Sequence, residues 1–183
     1  TAIWRLSPEK VLGLRHEWCE RFPERTSALV RALFRSSQWC EQPANQEELA
    51  RMLSEPKYVG APAHILLRGL SGNLTLMPGG EPQRMPDFYV ASAHGATFPW
   101  VSHALWFYSQ MVRWNQIEHS ATHVAAVRGS YRPDLYRKAL EPLGMAMPAE
   151  DVKVEGAGVP GAVDGFFDER KFDPAQLESY LRE

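Results

Sequence analysis

At 183 residues and 20.7 kDa the chain is long enough to bury a core, and 44% hydrophobic with 23% charged residues is ordinary globular composition, which excludes a disordered polymer. A net charge of −2 and a pI of about 6.3 exclude a bulk electrostatic pull on nucleic acid or acidic lipid. No run of about 20 apolar residues occurs, so no transmembrane helix is predicted.

The first fifteen residues read two ways. Ser7-Pro8-Glu9 is helix-start chemistry, whereas Val11-Leu12-Gly13-Leu14 is equally a short buried strand, and local pattern leans to helix without deciding. Lys10 precedes that apolar run, and Arg15 and His16 follow it. On a strand crossing between two lobes Lys10 would face a cleft, where partial desolvation strengthens its pull on an anion; otherwise it is a solvated lysine at an element's end. The chain starts at Thr1 without a Met, which reads as a processed protein or part of a longer one.

Helix signals then dominate. Pro23 stands where a first helical residue belongs, and Leu29, Ala32, Leu33, Ser36, Trp39 and Cys40 recur at threes and fours. Asn45 with Glu48 has the form of a capping pair for a short helix through Leu53, and Pro62 opens another that Gly69 or Gly72 would end. Residues 71–90 read as a Pro/Gly loop. Cys19 and Cys40, 21 residues apart along a helical run, lie too far apart for a disulfide and read as reduced thiols.

The segment Phe98 to Gln116 crowds aromatics into one helix. At 100° per residue Val101, Ala104, Leu105, Tyr108, Met111 and Val112 share a face, which Trp100, Phe107 and Trp114 widen to nearly half the circumference. Trp106 falls on the opposite side with Ser102, Gln110 and Arg113. It either packs under the protein's own chain or, with Gln110 and Arg113, forms a partner or lobe contact. A further helix starts at Pro133, buries Leu135, Ala139 and Leu140, and stops at Gly144. Residues 145–165 read as loop, and Asp173 with Pro174 opens a closing helix.

Catalytic motifs are few. His119 and His123 are four apart beside Glu118, but the HExxH order is missing. Thr1 invites an N-terminal nucleophile, a chemistry found in sheet-rich hydrolases. The glycine-rich GAGVPGAVDGFF reads as a loop without a phosphate motif.

The phrases PEKVLGL, WCEQPANQEELARMLSEPKYVGAP, TFPWVSHALWFYSQMVRW, YRPDLYRKAL and FFDERKFDPAQLESYL, in this order, resemble the C-terminal half of the nitrate/bicarbonate-binding proteins of ABC uptake systems and of their cytoplasmic nitrate-sensing relatives. The resemblance implies a helix-rich α/β fold, the C-terminal part of a two-lobed periplasmic-binding-protein-like (type II) architecture. Residues 1–40 would then be hinge strand and lobe helix, with Val11–Leu14 as strand, and residues 41–183 a helical elaboration on the same lobe. It implies nonenzymatic binding of nitrate or nitrite, no cofactor or metal, and Lys10 as the ligand-binding cation. Implied partners are an ABC permease and its ATPase for a periplasmic transport component, or an antiterminator protein for a cytoplasmic sensor, toward which the reduced thiols tilt the reading; no direct contact with nucleic acid is implied. The competing classes are a helical interaction domain presenting Trp106 and Arg113, and a hydrolase using Thr1 or a metal on His119 and His123.

Overall fold

A computed structural model describes residues 3–5, 7–157 and 164–182. The chain forms two compact units, residues 1–30 with 98–183 and residues 31–97. Among the described residues the architecture is helix-rich, with one two-stranded ladder.

Residues 7–14 carry no regular structure, and Val11, Leu12 and Leu14 are 66%, 49% and 37% exposed. The strand expected at Val11–Leu14 is therefore not present. A strand exists only within a hydrogen-bonded ladder, and no described segment of this chain pairs with these residues. Helix α1 (His16–Arg21) follows, and α2 (Pro23–Glu41) starts with Pro23 in its first turn, where a missing N–H costs nothing.

In the unit of residues 31–97, a 3₁₀ turn over Pro43–Asn45 runs straight into α3 (Gln46–Leu53). The capping pair expected from Asn45 and Glu48 does not form. A cap needs extended backbone, but the preceding turn holds Asn45 near helical angles, and its amide donates instead to the Trp39 carbonyl at 2.9 Å. Helix α4 (Ala63–Ser71) follows Pro62 as expected, and Gly72, not Gly69, stops it. Gly72 has φ +69°, and a Cβ there would lie 2.2 Å from the Met85 carbonyl oxygen, so the position takes glycine alone. This close approach lets β1 (Asn73–Leu74) pair antiparallel with β2 (Gln83–Arg84) inside what the sequence suggested was loop. Helices α3 and α4 pack on one another, and the Gln46 amide donates to the Leu70 carbonyl at 3.1 Å. Glu41 at the end of α2 accepts from the Ala93 N–H at 2.9 Å, the Ala91 N–H at 3.2 Å and the Ser92 hydroxyl. Burial would raise its pKa, but these donors hold it below the usual carboxylate range.

The other unit is built on α5 (Val101–Arg113). Val101, Ala104, Leu105 and Tyr108 are buried as the sequence implied, but so is the supposedly polar side, with Ser102, Trp106, Ser109 and Gln110. Phe107, Met111 and Trp114, assigned to the apolar arc, are exposed. The polar side can go inward because each group finds a partner. Ser102 donates to Glu155, Ser109 to the Trp106 carbonyl at 2.6 Å, and Gln110 to the Ser109 oxygen at 3.1 Å.

Helix α6 (Ala121–Ser130), which the sequence reading passed over, opens at Ser120, whose hydroxyl accepts from the His123 N–H at 3.1 Å. Helix α7 (Pro133–Leu140) starts at the expected proline and passes through a 3₁₀ turn to Gly144 at φ +61°. The Asp173 side chain caps the closing turn, accepting from the Ala175 N–H at 2.9 Å before α8 (Leu177–Arg182). The core joins Trp4, Leu105, Trp106, Tyr108, Phe166, Phe172 and Leu177, so α5 and α8 enclose residues from both ends of the chain. Full burial of a residue such as Leu105 contributes about 2 kcal/mol.

Candidate functional site

Lys10 lies in the unstructured stretch between residue 7 and α1, exposed and without an ion-pair or hydrogen-bond partner among the described residues. An ammonium without such a partner keeps three donors available for an anion.

Trp106 and Gln110 do not share that surface, for each is only 8% exposed. The Trp106 ring stacks on Phe166 with centroids 5.7 Å apart and meets Trp4 edge-on at 5.1 Å. Arg113 alone of the three expected contact residues is exposed. Its guanidinium lies 5.8 Å from the Tyr180 ring centroid and donates to Gln110 Oε1 at 3.4 Å.

The most elaborate polar group is one that sequence reasoning missed. Glu155 is 0% exposed and takes a hydrogen bond from Ser102 at 2.5 Å, another from Lys153, and an approach from His103 Nε2 at 3.5 Å. Burial by itself would raise its pKa, yet His103, Lys153 and Ser102 together hold it below the usual carboxylate range. Lys153 also donates to Asp164 Oδ2 at 3.1 Å, and Asp164 Oδ1 accepts the indole N–H of Trp4 at 2.9 Å. The Lys153 ammonium stands 5.6 Å from the Trp100 ring centroid and 6.0 Å from that of Trp4. Two carboxylates face one lysine and one histidine, so the group has no surplus positive charge for an anion and acts as an internal lock. Its sequence signal was the alternation Val152-Lys153-Val154-Glu155, which on extended backbone puts Lys153 and Glu155 on one side.

His119 and His123 do not make a metal pair. Ser120 caps α6 between them, so His119 precedes the helix and the one-turn spacing is lost. Tyr108 and His119 Nδ1 are 2.9 Å apart, and His119 Nε2 reaches Glu178 Oε1 at 2.8 Å, while His123 Nδ1 reaches the Glu118 carbonyl at 2.8 Å. Among the described residues no group of three or more His, Cys, Asp or Glu is placed to hold a metal ion. Thr1 lies outside the described residues, as does most of the glycine-rich stretch after residue 157. Cys19 and Cys40 are both free thiols. No helix among the described residues is long and apolar enough to cross a membrane.

Comparison with known proteins gives this geometry a context. A family model described as NMT1-like matches residues 1–54. The nitrate/nitrite binding protein NrtA of Nostoc sp. is 30% identical over 179 residues, 98% of this chain and 40% of its own length. The bicarbonate-binding protein CmpA of Synechococcus elongatus is 29% identical over 188 residues, 98% of this chain and 41% of its own. The nitrate import ATP-binding protein NrtC of Synechocystis is 31% identical over 142 residues, 78% of this chain and 21% of its own. The crystal structure of the periplasmic nitrate-binding protein NrtA from Synechocystis superposes on 99% of the chain with a TM-score of 0.87 at 27% identity, and the chain covers 46% of it. The fold is thus the helix-rich α/β fold of that periplasmic binding protein. The chain is a relative of the nitrate- and bicarbonate-binding proteins and spans about two fifths of their length.

Proposed function

We propose that the protein containing this chain binds a small planar oxyanion, nitrate or nitrite, without transforming it, and that Lys10 supplies a cation to the binding site. The observation that carries this reading is the likeness to a periplasmic nitrate-binding protein over 99% of the chain. The ammonium of Lys10, without a partner among the described residues, adds a chemical reason, since a trigonal oxyanion is best held by charge-assisted hydrogen bonds. On this reading residues 1–40 carry the hinge crossing and a lobe helix, and residues 41–183 are a helical elaboration of the same lobe. The remaining donors come from the part of the relatives' length that this chain does not span, and closure of two lobes reports occupancy.

Delivery to a membrane permease and its ATPase is the role the relatives' names support, and it puts the protein in the periplasm. The alternative, a cytoplasmic sensor acting on an antiterminator protein, has behind it the separated free thiols Cys19 and Cys40 and the likeness of WCEQPANQEELARML to that branch. Calorimetry of the full-length protein against nitrate, nitrite and bicarbonate tests the reading. Lys10→Ala lowers affinity for the preferred ion at least tenfold, a loss of about 1.4 kcal/mol. A titration unchanged by that substitution removes Lys10 from the site, and the absence of heat with all three ions removes the reading itself.

A further inference from the structure

Lys10 sits on a segment with no regular structure of its own, so something outside that segment must determine where its charge is presented. The described residues just before it are held tightly. Trp4 is almost fully buried, with its indole edge-on to His103 at 5.2 Å, to Trp106 at 5.1 Å and to Phe166 at 5.1 Å. Its backbone forms an isolated antiparallel bridge with Phe166, flanked by the Arg5 N–H to the Gly165 carbonyl at 3.2 Å and the Phe167 N–H to the Ile3 carbonyl at 2.9 Å. The indole N–H donates to Asp164, which is tied through Lys153 to the buried Glu155 and so to Ser102 on α5. On the other side the chain is regular again from His16, the first residue of α1.

Residues 7–14 are therefore a strap, exposed over most of its length, that runs from the anchored Trp4 region to α1. Lys10 is six residues from Trp4, and a chain extends at most about 3.3 to 3.6 Å per residue. The point at which Trp4 releases the chain thus keeps the Lys10 Cα within roughly 20 Å of the anchor, and so limits the volume that its ammonium can reach. A looser exit enlarges that volume and raises the entropic cost of holding the charge in one place against a ligand.

We infer that Trp4, through its indole hydrogen bond to Asp164, is a positioning residue for oxyanion binding, setting the exit of the segment that carries Lys10. The inference rests on the reading of Lys10 as an anion contact. Trp4 does not touch the ligand; it acts by where it sends the strap. The hydrogen bond matters in addition to ring burial, because an apolar ring alone can slide in its pocket, whereas the N–H bond to a carboxylate itself pinned by Lys153 fixes its depth and rotation.

The test uses the full-length protein and nitrate titrations of Trp4→Phe, Asp164→Ala, Asp164→Asn, Lys10→Ala and the double variant Trp4→Phe with Lys10→Ala. Trp4→Phe and Asp164→Ala each weaken binding roughly fivefold, an effect of the size expected for coupled neighbours. Asp164→Asn, whose amide oxygen still accepts from the indole, restores most of the affinity. Trp4→Phe adds no further loss in the Lys10→Ala background, because the group it positions is gone. If Trp4→Phe folds poorly, the Asp164 pair carries the comparison, since it leaves the ring in place. Equal loss from Trp4→Phe with and without Lys10, or full affinity in Asp164→Ala while Lys10→Ala is tenfold weaker, overturns the inference and leaves the binding reading standing. Wild-type affinity in Lys10→Ala removes Lys10 from the site and overturns the inference with it, whereas the absence of nitrate, nitrite and bicarbonate binding in the unsubstituted protein overturns the binding reading.

Discussion

Ser102 donates its hydroxyl to Oε1 of Glu155 at 2.5 Å, joining α5 to the extended segment that also carries Lys153. The carboxylate is fully buried and survives there because every strong interaction around it favours the charged form. Glu155→Ala removes the acceptor and leaves Ser102, His103 and Lys153 facing a hole. The expected loss is about 3 kcal/mol, read from the urea midpoint at neutral pH. Glu155→Gln loses less, since the amide oxygen still accepts from Ser102.

The same carboxylate gives the protein an acid edge. Its folded pKa is depressed, so its contribution to stability is fully present above the unfolded value of about 4.3 and is lost as pH falls through the folded value. Glu41, held down by the Ser92 hydroxyl and neighbouring N–H groups against its own burial, and Asp134, held down first by its hydrogen bond to Arg132, act in the same direction. Stability measured by denaturant titration should be flat near neutrality and fall below about pH 4. The gap between wild type and Glu155→Gln should close over that acid range. A gap that stays constant on acidification would place the stabilisation elsewhere.

Gly156, next to Glu155, has φ +69°, and a Cβ there would lie 2.3 Å from the Phe166 ring and 2.8 Å from the Arg170 carbonyl oxygen. Both strain and collision follow, and the ring that would have to move is part of the stack against Trp4 and Trp106. Gly156→Ala should cost about 3 kcal/mol. Gly129, inside α6 with nothing within 4 Å of an added Cβ, is the control, and Gly129→Ala should gain about 0.5 kcal/mol. Thermal melts of the two variants should move in opposite directions.

What was legible in the sequence follows from the range of the interaction responsible. Pro23, Pro62, Pro133 and Asp173 act within their own turn, and the helices they open stand where expected. Asn45 failed because a neighbouring 3₁₀ turn set its backbone before its side chain could cap. The α5 faces were misassigned because Ser102, Ser109 and Gln110 are polar by type yet satisfied inside. Ser102's partner, Glu155, lies 53 residues away, beyond any periodic signal. The Val11–Leu14 strand was implied by the resemblance, against a local pattern that leaned to helix, and no described segment supplies the ladder a strand needs. Lys10 was placed on that segment by resemblance, and nothing in its local sequence marks it off from other exposed lysines.

Trp106 and Arg113, adjacent on a helical wheel, should separate cleanly under substitution. Trp106 fills the space between Trp4 and Phe166 and also meets Phe107, so Trp106→Ala removes three ring contacts and leaves a large cavity. The expected loss is about 4 kcal/mol. Arg113 is exposed and lies over Tyr180 on α8, so Arg113→Ala should cost under about 1 kcal/mol and leave oxyanion affinity unchanged. A large drop in affinity from Arg113→Ala with an unaltered melt would instead make it part of a functional contact.

His119 offers a test of hydrogen-bond direction. The Ser120 N–H donates into the Tyr108 oxygen at 3.2 Å, Tyr108 is 2.9 Å from Nδ1, and Nε2 is 2.8 Å from Glu178. One direction satisfies all of these at once: Tyr108 donates to Nδ1, and the ring carries its proton on Nε2 and donates to Glu178. Nitrogen chemical shifts of the neutral imidazole should therefore place its proton on Nε2. Tyr108→Phe should abolish that preference and loosen α8, seen as faster amide exchange at Leu177 to Leu181. Replacing both His119 and His123 by Ala should leave nitrate affinity unaltered, because His119 ties Tyr108 on α5 to Glu178 on α8 and His123 Nδ1 bonds the Glu118 carbonyl, both structural contacts.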